Sequence, residues 1–368
     1  MMSDRIRGLL IAWAVSIGAV VTALLASLVV VALAGSSPAE AAQALFDGAF
    51  GSTNRTAAML AKAVPLTLAA LGWVLAFSAR RINVGLEGQI LAGGAVAATI
   101  GLLVGGVPAA LHLPLLVLGG IAGGALWAGI AAWLWVKRDV NEIIATLLLN
   151  LIMVQAVSWL VSGPLEEPTH TLGQTEPIAA TARWPVLIPG TVLHWDLLLV
   201  PLLAVGLSFF LRGTTAGFRL RATGANPAFA AYSGIRTARV SALALVASGG
   251  IAGLAGASLI GATPQANMAD NFSANYGFEG IVVALLARNS PLGCIPAAFL
   301  FASLKQGGGL LEARAGVPSG LVLVTQGLVI ILVAGAGYLF ERRRTRRVTA
   351  KAPSQPLPSE APASDPTR

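Results

Sequence analysis

A few side chains stand out because they lie inside or against long apolar runs. Asn83, Glu87 and Gln89 fall in RRINVGLEGQIL, residues 80–91. Asn150 falls in VNEIIATLLLNLI, residues 140–152, and Phe278 and Glu279 sit at the head of GFEGIVVALLARNSPLG, residues 277–293. The chemistry open to such groups is recognition. Amides and carboxylates hydrogen-bond a polar solute, and an aromatic ring stacks on a flat one. Bond-making chemistry finds no support. There is no G-x-x-x-x-G-K-[ST] phosphate loop, no H-E-x-x-H, and no Ser/His/Asp set. The 3 histidines, His112, His170 and His194, share no metal-ligand spacing. No catalytic residue, metal ligand or cofactor is therefore assigned. The lone Cys294 excludes an intrachain disulfide.

The elements that must position these groups are membrane helices. The chain is 56% hydrophobic and only 11% charged, with a mean hydropathy of +0.78. A soluble domain carries about 25% charged residues. Apolar runs of about twenty residues recur, as bilayer-spanning helices require, and the alternation of a β-barrel is absent. The net charge of +8 does not indicate nucleic acid, because the basic residues fall in short loops and in the tail, as the positive-inside rule expects.

Placing spans by hydropathy and orienting them by Lys/Arg predicts an all-α polytopic membrane protein of about ten spans, with both termini cytoplasmic. The expected spans are 9–34, 61–79, 84–104, 114–136, 142–162, 195–211, 240–262, a short one at 278–288, 291–311 and 320–340. The first run is too long for a signal-peptide core of about 7–15 residues and reads as a retained span. Residues 35–60 and 163–194 read as outer loops. The membrane body is 1–340, and 212–239, with Arg212, Arg219, Arg221, Arg236 and Arg239, is a cytoplasmic loop. Residues 341–368 are a basic, Pro-rich tail with no apolar periodicity, expected to be disordered. Arg55 and Arg314 run against the charge rule. The short span cannot cross about 30 Å alone and reads as a half-helix sheltered by protein.

Small residues recur every fourth position in three spans: Gly93, Ala97, Gly101 and Gly105; Gly120, Gly124, Ala128 and Ala132; Gly249, Gly253, Ala257 and Gly261. That spacing puts each set on one helix face, where backbones approach closely.

The polar residues have two readings each. Arg80 and Arg81 hold a span end inside. Asn83 is a cap for the third span, and Glu87 and Gln89 fall in its first turns, where negative charge is favourable. Glu87 equally suits a solute path near the cytoplasmic side, since intramembrane acids tend to be functional. Asn150 either bonds between helices or lines the path. Glu279 suits a helix start by the dipole, and a half-helix site by position. Phe278, with Tyr276 and Phe272 nearby, could stack on a base or stand in the interfacial belt.

INVGLEGQILAGG, VNEIIATLLLNLI and GFEGIVVALLARNSPLG, in that order, resemble the permease subunits of bacterial ABC importers for simple sugars, nucleosides and branched-chain amino acids. The likeness spans about 60–340 and is nearest to nucleoside-type permeases. FRLRATGANPAFAAYSGI, 218–235, resembles the loop that docks on the ATPase. Its residues independently predict a short helix: Asn226 caps, Pro227 fits the first turn, and Gly234 ends it. The resemblance makes Gly224, Asn226, Pro227, Ala230, Ala231, Tyr232 and Gly234 a coupling helix, where a lipid-resting connector is the other reading.

The resemblance further implies a multi-pass protein of the bacterial plasma (inner) membrane that moves a small polar solute, with ATP used by a partner. Its partners would be ABC ATPase subunits, a second permease protomer of different sequence, an external solute-binding protein and membrane lipid. An ion-coupled carrier working without an ATPase is the alternative.

Overall fold

A computed structural model of the chain describes residues 37–315 except 171, together with residues 18, 32 and 327. Expected spans one and ten, and the tail, lie outside the described residues. Among those described, regular structure is helical apart from two isolated β-bridges, Gln174 with Ala269 and Val186 with His194. In chain order the helices are α1 (Pro38–Phe50), α2 (Thr53–Ser78), α3 (Leu86–Leu103), α4 (Ala109–Arg138) and α5 (Glu142–Val161). They continue with α6 (Leu199–Gly213), α7 (Thr215–Ala225), α8 (Pro227–Tyr232), α9 (Thr237–Gly261), α10 (Tyr276–Leu286) and α11 (Cys294–Ala315).

Seven helices among the described residues are long and apolar enough to cross a membrane: α2 to α5, α6 with the 3-10 turn that leads it, α9 and α11. They correspond to expected spans two to seven and nine. The eighth is α10, whose 11 residues reach about 16 Å at 1.5 Å per residue. It is the half-length helix that its sequence suggested.

The outer loop expected over 35–60 is corrected. Residues 38–50 form α1, capped by the Ser37 hydroxyl on the Glu40 N–H and opened by Pro38. α1 packs along α11, and Asp47 on it explains the two misplaced arginines. Arg314 forms an ion pair with its carboxylate at 3.0 Å, and Arg55 donates to its carbonyl at 3.1 Å. Arg55 and Arg314 are both held by Asp47.

The centre of the bundle is a crossing of α3, α4 and α9 on their small faces. A Cβ built on Gly253 would lie 2.1 Å from the Gly120 carbonyl oxygen, and one on Gly93 would lie 2.3 Å from the Gly253 Cα. Backbones touch here, so van der Waals contact replaces side-chain packing. The stripe ends do not take part: Gly101 packs on Ile178 and Gly261 on Trp184, both in the 163–194 loop, and Gly105 lies past the end of α3 with nothing within 4 Å of a built Cβ.

Two non-helical segments run into this bundle from opposite ends. Residues 79–85 turn at the arginine-rich end of α2 and re-enter, so that Leu86, the first residue of α3, meets Gly72, a turn and more inside α2. Residues 262–275 descend from the far end of α9 and deliver the start of α10. That descent uses left-handed backbone at Ala266, Asn271, Ala274 and Asn275. Non-helical backbone at such depth is tolerated only where protein surrounds it. The loop over 163–194 gives part of that cover. The Ile178 N–H donates to the Ala266 carbonyl, Ala179 to Gly101 and Trp184 to Gly261.

Candidate translocation site

Four orphan N–H groups open every helix, and two helices that start inside this bundle find acceptors on their neighbours. α3 has Gly85 at its N-cap and no side-chain cap of its own. Asn150 of α5 supplies one: its Oδ1 accepts the Gly88 N–H at 2.8 Å, and its Nδ2 donates to the Val84 carbonyl at 2.9 Å. Asn150 lies eight residues into α5, about 12 Å from its start, which fixes how deep α3 begins.

Asn83 does not cap α3, contrary to its expected role. It sits ahead of the N-cap, fully buried, and its amide is engaged face to face with that of Gln89. The Asn83 Nδ2 donates to Gln89 Oε1 at 2.9 Å, and Gln89 Nε2 donates back at 3.0 Å. Asn83 also donates to the Ser248 hydroxyl of α9 at 2.9 Å and accepts the Gly85 N–H at 3.1 Å. The re-entrant turn is thus pinned to α9.

Glu87 is buried and its carboxylate caps a different helix from its own. Its Oε2 accepts the Gly277 N–H at 2.7 Å and its Oε1 the Asn275 N–H at 3.2 Å. Asn275 is the N-cap of α10 and Gly277 lies in its first turn, where the helix dipole favours negative charge. Gly277 is required for the approach, since a Cβ there would lie 2.3 Å from the Glu87 backbone nitrogen. The three motifs therefore make one construction: Asn150 of the second starts the helix of the first, and Glu87 of the first starts the helix of the third. Asn289, at the end of the third motif, accepts from Trp73 Nε1 of α2 at 3.0 Å. Arg81 also does more than mark topology. It pairs with Glu142 at 3.2 Å and lies over the Trp135 ring at 4.6 Å.

Phe278 and Glu279 stand on the less covered face of α10. Glu279 Oε1 accepts from Lys305 Nζ of α11 at 2.8 Å, and Oε2 is buried with no partner among the described residues. Lys305 also donates to the Ala274 carbonyl at 3.1 Å and stands 4.2 Å from the centre of the Tyr276 ring, a cation–π contact. Lys62 of α2 is near enough to act on both charges. Lys305 lies eleven residues along α11, about 17 Å from its start, at mid-span. Neither lysine was singled out from the sequence, although each falls inside an expected span and a cation there was the available signal. Removing one partner of a buried pair strands the other charge. Lys305→Ala is therefore expected to lower stability by about 3 kcal/mol, the low end for a broken buried pair, read as a lower melting temperature in detergent. Lys305→Met combined with Glu279→Gln should recover part of the loss.

At the arginine-rich end, α7 and α8 form an arm. Asn226 Oδ1 accepts the Phe229 N–H at 3.0 Å, Pro227 is the first helical residue, and Gly234 with φ +81° follows the end, all as expected. Ala230 is buried against the body, whereas Ala231 is exposed. The side chains presented outward are Phe229, 67% exposed, and Tyr232, 92% exposed. Phe229 was not among the expected coupling residues. Gly224 lets α7 sit on the end of α2, where a Cβ would lie 2.3 Å from the Ser78 carbonyl oxygen.

Broken helices that meet inside a bundle, a charged cluster at mid-span and an exposed arm at the basic end define a membrane translocation subunit. The chain belongs to the branched-chain amino acid transport system / permease component family, whose model matches residues 55–334. It is 35% identical over 296 residues to the glucose ABC transporter permease protein TsgB13 of Haloferax volcanii, covering 78% of this chain and 77% of that protein. It is 32% identical over 322 residues to the guanosine ABC transporter permease protein NupP of Bacillus subtilis, covering 86% and 92%. It is 30% identical over 324 residues to the nucleoside ABC transporter permease protein NupB of Lactococcus lactis, covering 86% and 89%. The chain is a multi-pass permease subunit of an ABC importer, and these relatives favour that reading over an ion-coupled carrier.

Proposed function

We propose that this chain forms one wall of the path by which an ABC importer moves a nucleoside or a simple sugar across the bacterial inner membrane. The names of NupP, NupB and TsgB13 support that pair of solute classes. The path runs beside α10, with Phe278, Glu279 and Lys305 facing it at mid-span. Asn83, Glu87, Gln89 and Asn150 build the floor that holds α10 in place. A group that caps a helix inside a broken bundle sits where transporters place solute. Ten spans, with both termini cytoplasmic, put the arm of α7 and α8 on the cytoplasmic side. The body is 1–340 and the arm lies within 212–239; the tail expected over 341–368 lies outside the described residues. ABC ATPase subunits hydrolyse ATP beneath the arm, a second permease chain closes the path, a binding protein delivers solute from outside, and lipid surrounds the whole.

One observation carries the proposal: the arm and α10 both pack closely on α2. Gly224 seats α7 on the end of α2, and Gly280 seats α10 on α2, where a Cβ would lie 2.4 Å from the Ala69 Cβ. Movement of α8 would reach α10 through that one helix. Affinity purification in detergent tests the assembly. An ATPase and a second permease should accompany the wild-type chain. Phe229→Asp with Tyr232→Asp should lose the ATPase at least tenfold and keep the second permease. Unchanged ATPase recovery from that variant sinks the assignment of α8. Ala230, being buried, is the wrong residue for this test, because a charge there would damage the body itself.

A further inference from the structure

A slot of about 520 Å³ opens between α2, α6, α7 and α9 at the arginine-rich end of the bundle. Its volume lies within the range of about 300–1,000 Å³ typical of ligand sites. The walls are apolar, with Leu75, Leu207, Phe210, Leu220 and Ala244 among them, and the single charged residue lining it is Arg219. Arg219 is exposed and makes no ion pair among the described residues. On α9 the lining runs from Val240 to Ile251, eleven residues or about 17 Å. One leaflet of a hydrocarbon core about 30 Å thick measures about 15 Å. The slot is therefore one leaflet deep, apolar along its length and cationic at the end where headgroups lie.

We infer that this slot is a phospholipid site: one acyl chain lies between α6 and α9, and the phosphate rests on the Arg219 guanidinium. Arginine matches phosphate oxygens in its fork geometry. A free solute phosphate would gain nothing from the apolar walls, and an uncharged apolar guest would gain nothing from Arg219. The guest wedges α7 against α2 and α9, so it braces the arm that carries α8. This inference does not depend on which solute is transported.

Gly206 gives a clean test. It lines the slot, and a Cβ on it meets nothing within 4 Å, so Gly206→Phe fills the slot without a clash at its base. Protein purified in mild detergent is incubated with phosphatidylglycerol, exchanged into fresh detergent and read by native mass spectrometry. Wild-type protein should retain one phosphatidylglycerol. Gly206→Phe and Arg219→Ala should each reduce that occupancy at least fivefold. Arg221→Ala, on the same helix but outside the lining, should retain it. Helix content by circular dichroism should be equal in all four. The inference is overturned if the wild type retains no lipid, or if Gly206→Phe retains as much as the wild type. It is equally overturned if a photo-crosslinker at position 206 captures residues 9–34, residues 320–340 or a second copy of the chain in place of lipid.

Discussion

Gly253→Val is expected to leave no assembled permease. The new Cβ would enter a space 2.1 Å from the Gly120 carbonyl oxygen and 2.9 Å from the Gly124 backbone. Both neighbours are main chain of α4, so no flexible side chain can yield. Overpacking a side-chain core costs about 1–3 kcal/mol, and separating two backbones at a three-helix crossing costs more than that, because the contacts of α3, α4 and α9 are lost together. The readout is the monodisperse fraction after detergent extraction, which should fall at least tenfold. Gly129→Val on α4 is the control: its Cβ meets nothing within 4 Å, and the same substitution there should leave extraction unchanged. Equal behaviour of the two variants would show that helix propensity, not close approach, governs these glycines.

Glu87→Ala is expected to abolish uptake by disordering the start of α10. Two buried N–H groups, of Asn275 and Gly277, would lose their acceptor. An unsatisfied buried donor costs about 1–3 kcal/mol, and the loss falls on the element that carries Phe278 and Glu279. Glu87→Gln keeps one acceptor oxygen and should recover part of both stability and uptake. The paired readout is melting temperature in detergent and uptake of labelled guanosine or glucose by cells. A capping role predicts that the two fall and recover together. Loss of uptake at an unchanged melting temperature would assign Glu87 to solute contact.

Much of this architecture was legible because hydropathy over about twenty residues is a strong signal, and spans two to nine each meet a helix. α1 was not legible on that signal: Glu40, Gln43 and Asp47 keep it below any membrane threshold. Its cap was nonetheless written in Ser37-Pro38-Ala39-Glu40, a capping residue, a first-turn proline and an acid three residues on. The short helix α8 was readable because its start and stop are local chemistry. The partners of Asn83, Glu87 and Asn150 were not. Glu87 meets Gly277 across 190 positions of sequence, and no pattern within either segment names the other. The start of α3 inside the bundle was not legible for the same reason. The charge rule places Arg80 and Arg81 at a membrane surface, but the chain turns back into the bundle immediately after them, and Glu87 is buried there. Lys62 and Lys305 were readable as cations in apolar spans, yet counting charge by loops passed over them. The three small-residue stripes predicted close packing. That they pack on one another followed only from the fold.

The opening segment therefore has a sharper meaning than charge in an apolar chain. Arg81 holds Glu142, Asn83 holds α9 with Gln89 paired behind it, and Glu87 holds α10. Its polar groups are the joints of a broken-helix centre, and the arm at α7 and α8 packs on α2, the helix on which α10 also packs.

The central claim is that force applied at α8 drives transport. Its most direct measurement is uptake into proteoliposomes containing this permease, its sister permease and the ATPase, with the binding protein and labelled solute outside. Uptake should require ATP within the lumen. It should fall to background in the Phe229→Asp, Tyr232→Asp variant, whose melting temperature stays within a few degrees of wild type. Solute accumulation driven by an ion gradient with no ATPase present, or ATP-driven uptake unaffected by that variant, would contradict the account.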